Sequence, residues 1–226
     1  MSHPLRRCLR AVLLGAASLP FFAIPAANAT IVFHSGNHQY TNVNIAADAD
    51  ALSLVGDIGN TGIQMTFNNM IGPDGSTQVS MHGQHGVAFV ESTHDSQQNP
   101  HTGFSSINLT PQTGYGFTAG DFALDELNGL SSGPVTLMGW DQFGTLYTDS
   151  SFTIDPQGQN KFYFTTADNE LVTNIKISVN TDQMLQDIKQ VSVDATRLPV
   201  PEPGTVALLG VGLVGIGCLR GRKTAA

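Results

Sequence analysis

The chain has 226 residues, 41% of them hydrophobic and only 12% charged, with a formal net charge of −8, so it can bury a full core and is too apolar for a disordered polyelectrolyte. Its charge is segregated: residues 30–199 hold 17 acidic and 4 basic side chains, a balance of −13, and the other six basic residues sit at the two ends. A body so acidic repels phosphate, which argues against nucleic acid and anionic headgroups as its partners.

From the N-terminus, Arg6, Arg7 and Arg10 lead into an apolar stretch, Ala11 to Ile24, that ends in Ala27-Asn28-Ala29. A basic start, a short apolar run and a small-x-small triplet are the marks of a secretory signal peptide, so residues 1–29 are expected to be removed by signal peptidase between Ala29 and Thr30. Pro20 and Pro25 argue against a buried helix there. The two cysteines, Cys8 and Cys218, both lie in the terminal segments, so the body between them cannot be stapled by disulfides.

Residues 30–199 read as one all-β domain. Alternation of apolar and polar residues predicts strands at Val43-Ile45-Ala47, Ile63-Met65-Phe67, Phe162-Phe164 and Ile175-Ile177-Val179. Further strands are expected over Thr30–Phe33, Gln78–His82, Val87–Glu91, Phe104–Leu109, Val135–Trp140, Tyr147–Ile154 and Ile188–Val193. Turns are expected at Gly56-Asp57, Gly59-Asn60-Thr61-Gly62, Gly72-Pro73-Asp74-Gly75, Gly133-Pro134 and Asp155-Pro156-Gln157-Gly158. A strand about every ten residues predicts a two-sheet β-sandwich or jelly roll, and Ala119–Leu130 is left to a helical turn.

Three residue groups in the body carry chemistry. Trp140, with Asp141 and Gln142 to bond hydroxyls, is the candidate glycan face, with Tyr115, Phe143 and Tyr147 as further rings. Asp48, Asp50 and Asp187 are the candidate ligands of a structural calcium; Asp57 and Asp182 are of the same type. His82 and His85 would meet only if Gly83 bends its strand, and His34 and His38 would share a face only on a helix, which Gly36 opposes. No catalytic residue is assigned: neither a nucleophile elbow, a zinc-protease helix nor a phosphate loop occurs, and Asp125 and Glu126 point to opposite faces of a strand. An enzyme, as a secreted hydrolase, ranks third behind a structural or adhesive protein and a carbohydrate- or calcium-binding module.

The last 27 residues divide into Pro201-Glu202-Pro203, an apolar run from Thr205 to Leu219, and a basic end of Arg220, Arg222 and Lys223. As a helix, fifteen residues span roughly 22 Å, short of the ~30 Å hydrocarbon core, so the segment suits transient insertion better than permanent anchoring. The basic end is expected to stay cytoplasmic. This three-part tail resembles the PEP-CTERM sorting signal of exported Gram-negative proteins. The resemblance implies exosortase as the processing partner, transient anchoring in the inner membrane, cleavage near the tripeptide, and delivery to the cell surface or extracellular matrix, often where exopolysaccharide is made. The body also resembles the β-sandwich domains that often precede such a tail, in Gly36-Asn37 with Asn44, Gly86–Glu91, Gly139–Gly144 and Asp187–Val193. That likeness implies a fold and no activity.

Overall fold

A computed structural model describes residues 30–199 except 47, 73, 74, 76, 93–102, 127–131, 156–159, 168–169 and 181–183. The expected signal peptide and the apolar C-terminal run lie outside the described residues. Ala27–Leu198 forms one compact unit. Among the described residues there are fifteen strands and no helix, so the body is all-β as read from its alternation.

Every pairing is antiparallel, and the strands, numbered in chain order, fall into two facing halves. One half runs β12 (Leu146–Ile154), β11 (Gly133–Asp141), β14 (Val172–Val179), β9 (Ser106–Pro111), β5 (Gln64–Ile71), β4 (Ser53–Ile58), β2 (Val43–Ile45) and β7 (Gly86–Val87). The other runs β3 (Ala49–Ala51), β6 (Met81–Gln84), β8 (Phe89–Ser92), β15 (Leu185–Arg197), β10 (Tyr115–Glu126), β13 (Asn160–Thr166) and β1 (Ile31–Ser35). Two separate sheets were the expectation, but hydrogen bonding joins all the strands into one curled sheet. The joins lie at corners: Phe117 pairs with Val172, Asn42 with Ser192 and Phe104 with Leu185. Curling brings the two apolar faces together, and corner pairing satisfies backbone groups that two open sheets would leave at their edges.

The halves meet closely. A Cβ at Gly139 of β11 would lie 3.0 Å from Ile31 Cδ1 and 3.3 Å from Phe33 Cζ of β1, and one at Gly83 of β6 would lie 2.7 Å from Leu54 Cδ1 of β4. Glycine is needed at both places because the facing layer occupies the volume of any side chain. Between the layers Phe67, Phe104, Phe117, Phe164, Met65 and Met81 are fully buried. Bulges bend the long strands: β15 shifts register beside Gln190, whose φ is 54°, and β5 beside Asn69, whose φ is 51°.

Three predicted elements differ. Gly56-Asp57 is not a turn but the middle of β4, where glycine is required because a Cβ would lie 2.4 Å from Val43 Cγ1. Gly133-Pro134 begins β11. Ala119–Glu126 is not helical but belongs to β10, the longest strand after β15.

Candidate functional site

Strand β11 alternates cleanly: Val135, Leu137, Gly139 and Asp141 are buried, while Thr136, Met138 and Trp140 face out, half-buried. Trp140 is therefore not a core residue. Register carries its outer face across the neighbouring strands. One row reads Leu146, Trp140, Asn174, Thr110, Thr66 and Val55 from β12 to β4. The adjacent row reads Thr148, Met138, Lys176, Asn108, Asn68 and Ser53. Six strands spaced ~4.8 Å apart make a face roughly 24 Å across, apolar at the Trp140 and Leu146 end and lined by amides and hydroxyls elsewhere. The Thr110 hydroxyl donates to Asn174 Oδ1 at 3.3 Å, and Asn68 Oδ1 has no hydrogen-bond partner among the described residues.

Beyond Trp140 the chain turns back in a tight hairpin. Asp141 Oδ1 accepts from the N–H of Phe143 at 2.8 Å and of Thr145 at 2.7 Å, and Gly144 takes φ 83°, the chemistry of a type I turn closed by a left-handed glycine. Phe143 at the tip is 78% exposed. Asp141 is buried in this turn and Gln142 Oε1 accepts from the N–H of Leu171 at 2.6 Å, so both expected hydroxyl-bonding groups hold the hairpin in place. Tyr115 and Tyr147 do not join Trp140. Tyr115 lies on β10 against Arg197, whose Nε donates to its hydroxyl at 3.2 Å, and Tyr147 packs towards the core, where burial and then the charges of Glu170 and Asp141 push its pKa up. Asn174, Asn108, Asn68 and Lys176 were missed as members of the face, since only strand pairing brings them beside Trp140.

The opposite half carries a second cluster. His34, Tyr163, Asp121 and Ser192 lie in one cross-strand row on β1, β13, β10 and β15. Residues 36–41 cross over this row: Tyr40 N–H donates to Ser192 Oγ at 3.0 Å, and Lys161 Nζ donates to Asn37 Oδ1 at 3.2 Å. His34 stacks on Tyr163 at 4.6 Å and His38 lies 4.4 Å from the same ring, so both imidazoles pack on one tyrosine by way of a loop, with no helix involved. Asp121 is buried beneath the crossing and accepts from the Ser192 hydroxyl. Burial holds its carboxyl above the usual range, against the opposing pull of Ser192, the His38 backbone N–H and Lys161.

The acidic candidates disperse. Asp48 Oδ1 accepts from His85 N–H at 2.5 Å, and Asp50 Oδ1 meets His82 Nδ1 at 2.7 Å. Asp187 lies on β15, three strand spacings or roughly 14 Å from Asp50, beside Lys189, which pairs with Asp125 and reaches Asp187 at 3.8 Å. Among the described residues no group of three or more His, Cys, Asp or Glu is placed to hold a metal ion. His82 and His85 are likewise engaged separately.

Glu126 ends β10 with both carboxylate oxygens buried and without hydrogen-bond partners among the described residues. Burial, then the charge of Asp155, raises its pKa. A raised pKa means the folded state holds the proton more tightly than the unfolded chain, so this contribution to stability is complete below the ordinary glutamate pKa and is lost as pH rises through the raised value. Glu126→Gln is expected to be more stable than wild type in urea at about pH 7.5 and equal to it near pH 4. An equal difference at both pH values would refute the assignment.

The sheet ends where the tail begins. Leu198 N–H donates to Gly114 O at 2.9 Å, the last backbone bond among the described residues, and the stretch from Pro199 to Lys223 matches the PEP-CTERM protein-sorting motif. Residues 199–223 are a PEP-CTERM sorting signal. The bearer of such a signal is an exosortase substrate, hence an exported protein sorted at a membrane. No curated protein matches this PEP-CTERM chain. Among solved structures it is similar to two point mutants of the family 29 carbohydrate-binding module CBM29-2. One is 12% identical over 78% of this chain and 99% of that one with a TM-score of 0.29, and the other 10% identical over 77% and 98% with a TM-score of 0.28. It is also similar to the enzymatically active domain of tailspike protein 4 of bacteriophage CBA120, at 12% identity over 75% of this chain and 20% of that one, with a TM-score of 0.26. TM-scores of that size fall short of a shared fold.

Proposed function

We propose that this PEP-CTERM protein is an adhesive, non-enzymatic component of the cell surface or extracellular matrix, whose body holds exopolysaccharide on the outer face of β12, β11, β14, β9, β5 and β4. Signal peptidase acting after Ala29 and exosortase acting near Pro201-Glu202-Pro203 deliver it there. The single observation that carries the glycan reading is the outward position of Trp140. An indole at one end of an amide- and hydroxyl-lined sheet offers an apolar surface to the C–H face of a sugar ring, while Asn174, Asn108 and Thr66 match its hydroxyls. Phe143, highly exposed three residues further on, extends the apolar end. Asp141 and Gln142 serve this face by fixing the hairpin rather than by touching sugar. A structural calcium at Asp48 or Asp187 would need ligands beyond the three carboxylates first considered, since these lie apart.

The test is affinity electrophoresis of the exported protein through gels containing the host exopolysaccharide. Trp140→Ala is expected to lower the apparent affinity at least about tenfold, the scale of one aromatic anchor, with an unchanged thermal melt because the side chain is outside the core. Undiminished retention of the variant would sink the proposal.

A further inference from the structure

Resting on the glycan reading, we infer that this face selects an anionic polysaccharide, with Lys176 receiving a sugar carboxylate. The body contains four basic residues, and three are engaged: Lys189 with Asp125 and Asp187, Lys161 with Asn37, and Arg197 with Tyr115. Lys176 alone has no hydrogen-bond or ion-pair partner among the described residues. It is half-buried on β14, directly between Met138 of β11 and Asn108 of β9.

Position makes that charge informative. Neither central row of the face contains a carboxylate, so Lys176 is the single charge in these two rows, set in a body whose balance is −13; Asp57, outward on β4 beyond Val55, lies three strands away. An ammonium without a counter-charge of its own can meet an arriving carboxylate with no existing ion pair to break. Its four-carbon stem lets the head follow a carboxylate along a polymer, whereas a rigid guanidinium would demand a fixed fork. The anion sits in a saccharide because the groups around it are amides, hydroxyls and, one row away, Trp140. The acidic remainder of the body does not prevent this: at physiological salt its repulsion decays within about 8 Å, whereas the Lys176 contact forms at hydrogen-bond length.

The experiment compares two polymers of one backbone: polygalacturonate, and the same polymer after reduction of its carboxylates to primary alcohols. Exported wild-type protein is expected to be retained more strongly by polygalacturonate. Lys176→Gln should lose about tenfold in apparent affinity for the acidic polymer and nothing for the reduced one, and Lys176→Arg should keep most of the acidic binding. Trp140→Ala should weaken both. Equal retention of wild type and Lys176→Gln by both polymers overturns the carboxylate inference and leaves the glycan face standing. Retention by neither polymer overturns both. Matching melting curves establish that the variants are folded.

Discussion

Phe164→Ala is expected to cost about 3–5 kcal/mol of folding stability, which for a body of this size lowers the melting temperature by roughly 6–20 °C. Phe164 is fully buried on β13, with ring centroids 6.4 Å from Phe33 on β1 and 6.3 Å from Phe117 on β10. Its ring occupies the volume above Gly120, where an added Cβ would lie 2.7 Å from Phe164 Cε1 and 2.8 Å from Val193 Cγ1. Truncation therefore opens a cavity floored by a residue with no side chain. The walls cannot close in, because β13 is held in register by β1 on one side and β10 on the other. Large cavity terms arise where surrounding structure relaxes least. Thermal unfolding followed by circular dichroism checks this, with Phe143→Ala as the exposed aromatic control, expected within about 0.5 kcal/mol of wild type. A fall below about 3 °C for Phe164→Ala would mean that the surrounding side chains close over the space the ring leaves.

Replacing Pro201, Glu202 and Pro203 together by alanine is expected to reduce the processed, released protein more than about tenfold and to leave full-length chain in the membrane fraction. The reason is conformational as well as chemical. Two prolines remove backbone donors and set φ near −65°, so the stretch that follows the last sheet bond at Leu198 is disfavoured from pairing with a strand or continuing as a helix. Three alanines abolish both restraints, let the apolar run extend helically towards the body, and remove the single carboxylate of the tail. Intact mass of the protein in medium and membrane fractions reads the outcome. Secreted variant at wild-type abundance and wild-type mass would show that the tripeptide does not direct processing. Folding of the body is expected to be untouched, since the described strands end at Arg197.

How much was readable depended on how each strand is buried. Strands with one wet face alternate plainly: the alternation of Ile175, Ile177 and Val179 places β14, and that of Met65 and Phe67 places β5. Strand β10 was not so placed, because Gly120 to Leu124 are all buried, one side by the core and the other by residues 36–41 crossing over Asp121. A strand covered on both faces loses its period of two and its sequence no longer separates it from a helix. Strand β4 was hidden for a different reason, since Gly56-Asp57 has the composition of a turn while Gly56 answers a close approach by Val43. The same limit applied to the histidines: sequence spacing sets His34 and His38 apart, and the ring of Tyr163, some 125 residues later, unites them.

Residue order by itself determined the all-β class, the separation of an acidic body from basic ends, and the sorting signal, because alternation, charge and a short apolar run are local properties read within a few neighbouring positions. Only the tertiary structure decided that the strands join into one curled sheet and that Trp140, Lys176, Asn174 and Asn108 share a face. Those residues lie on β11, β14 and β9, and antiparallel register between strands far apart in the chain is set by how the buried sides interlock, a cooperative choice that no single segment encodes.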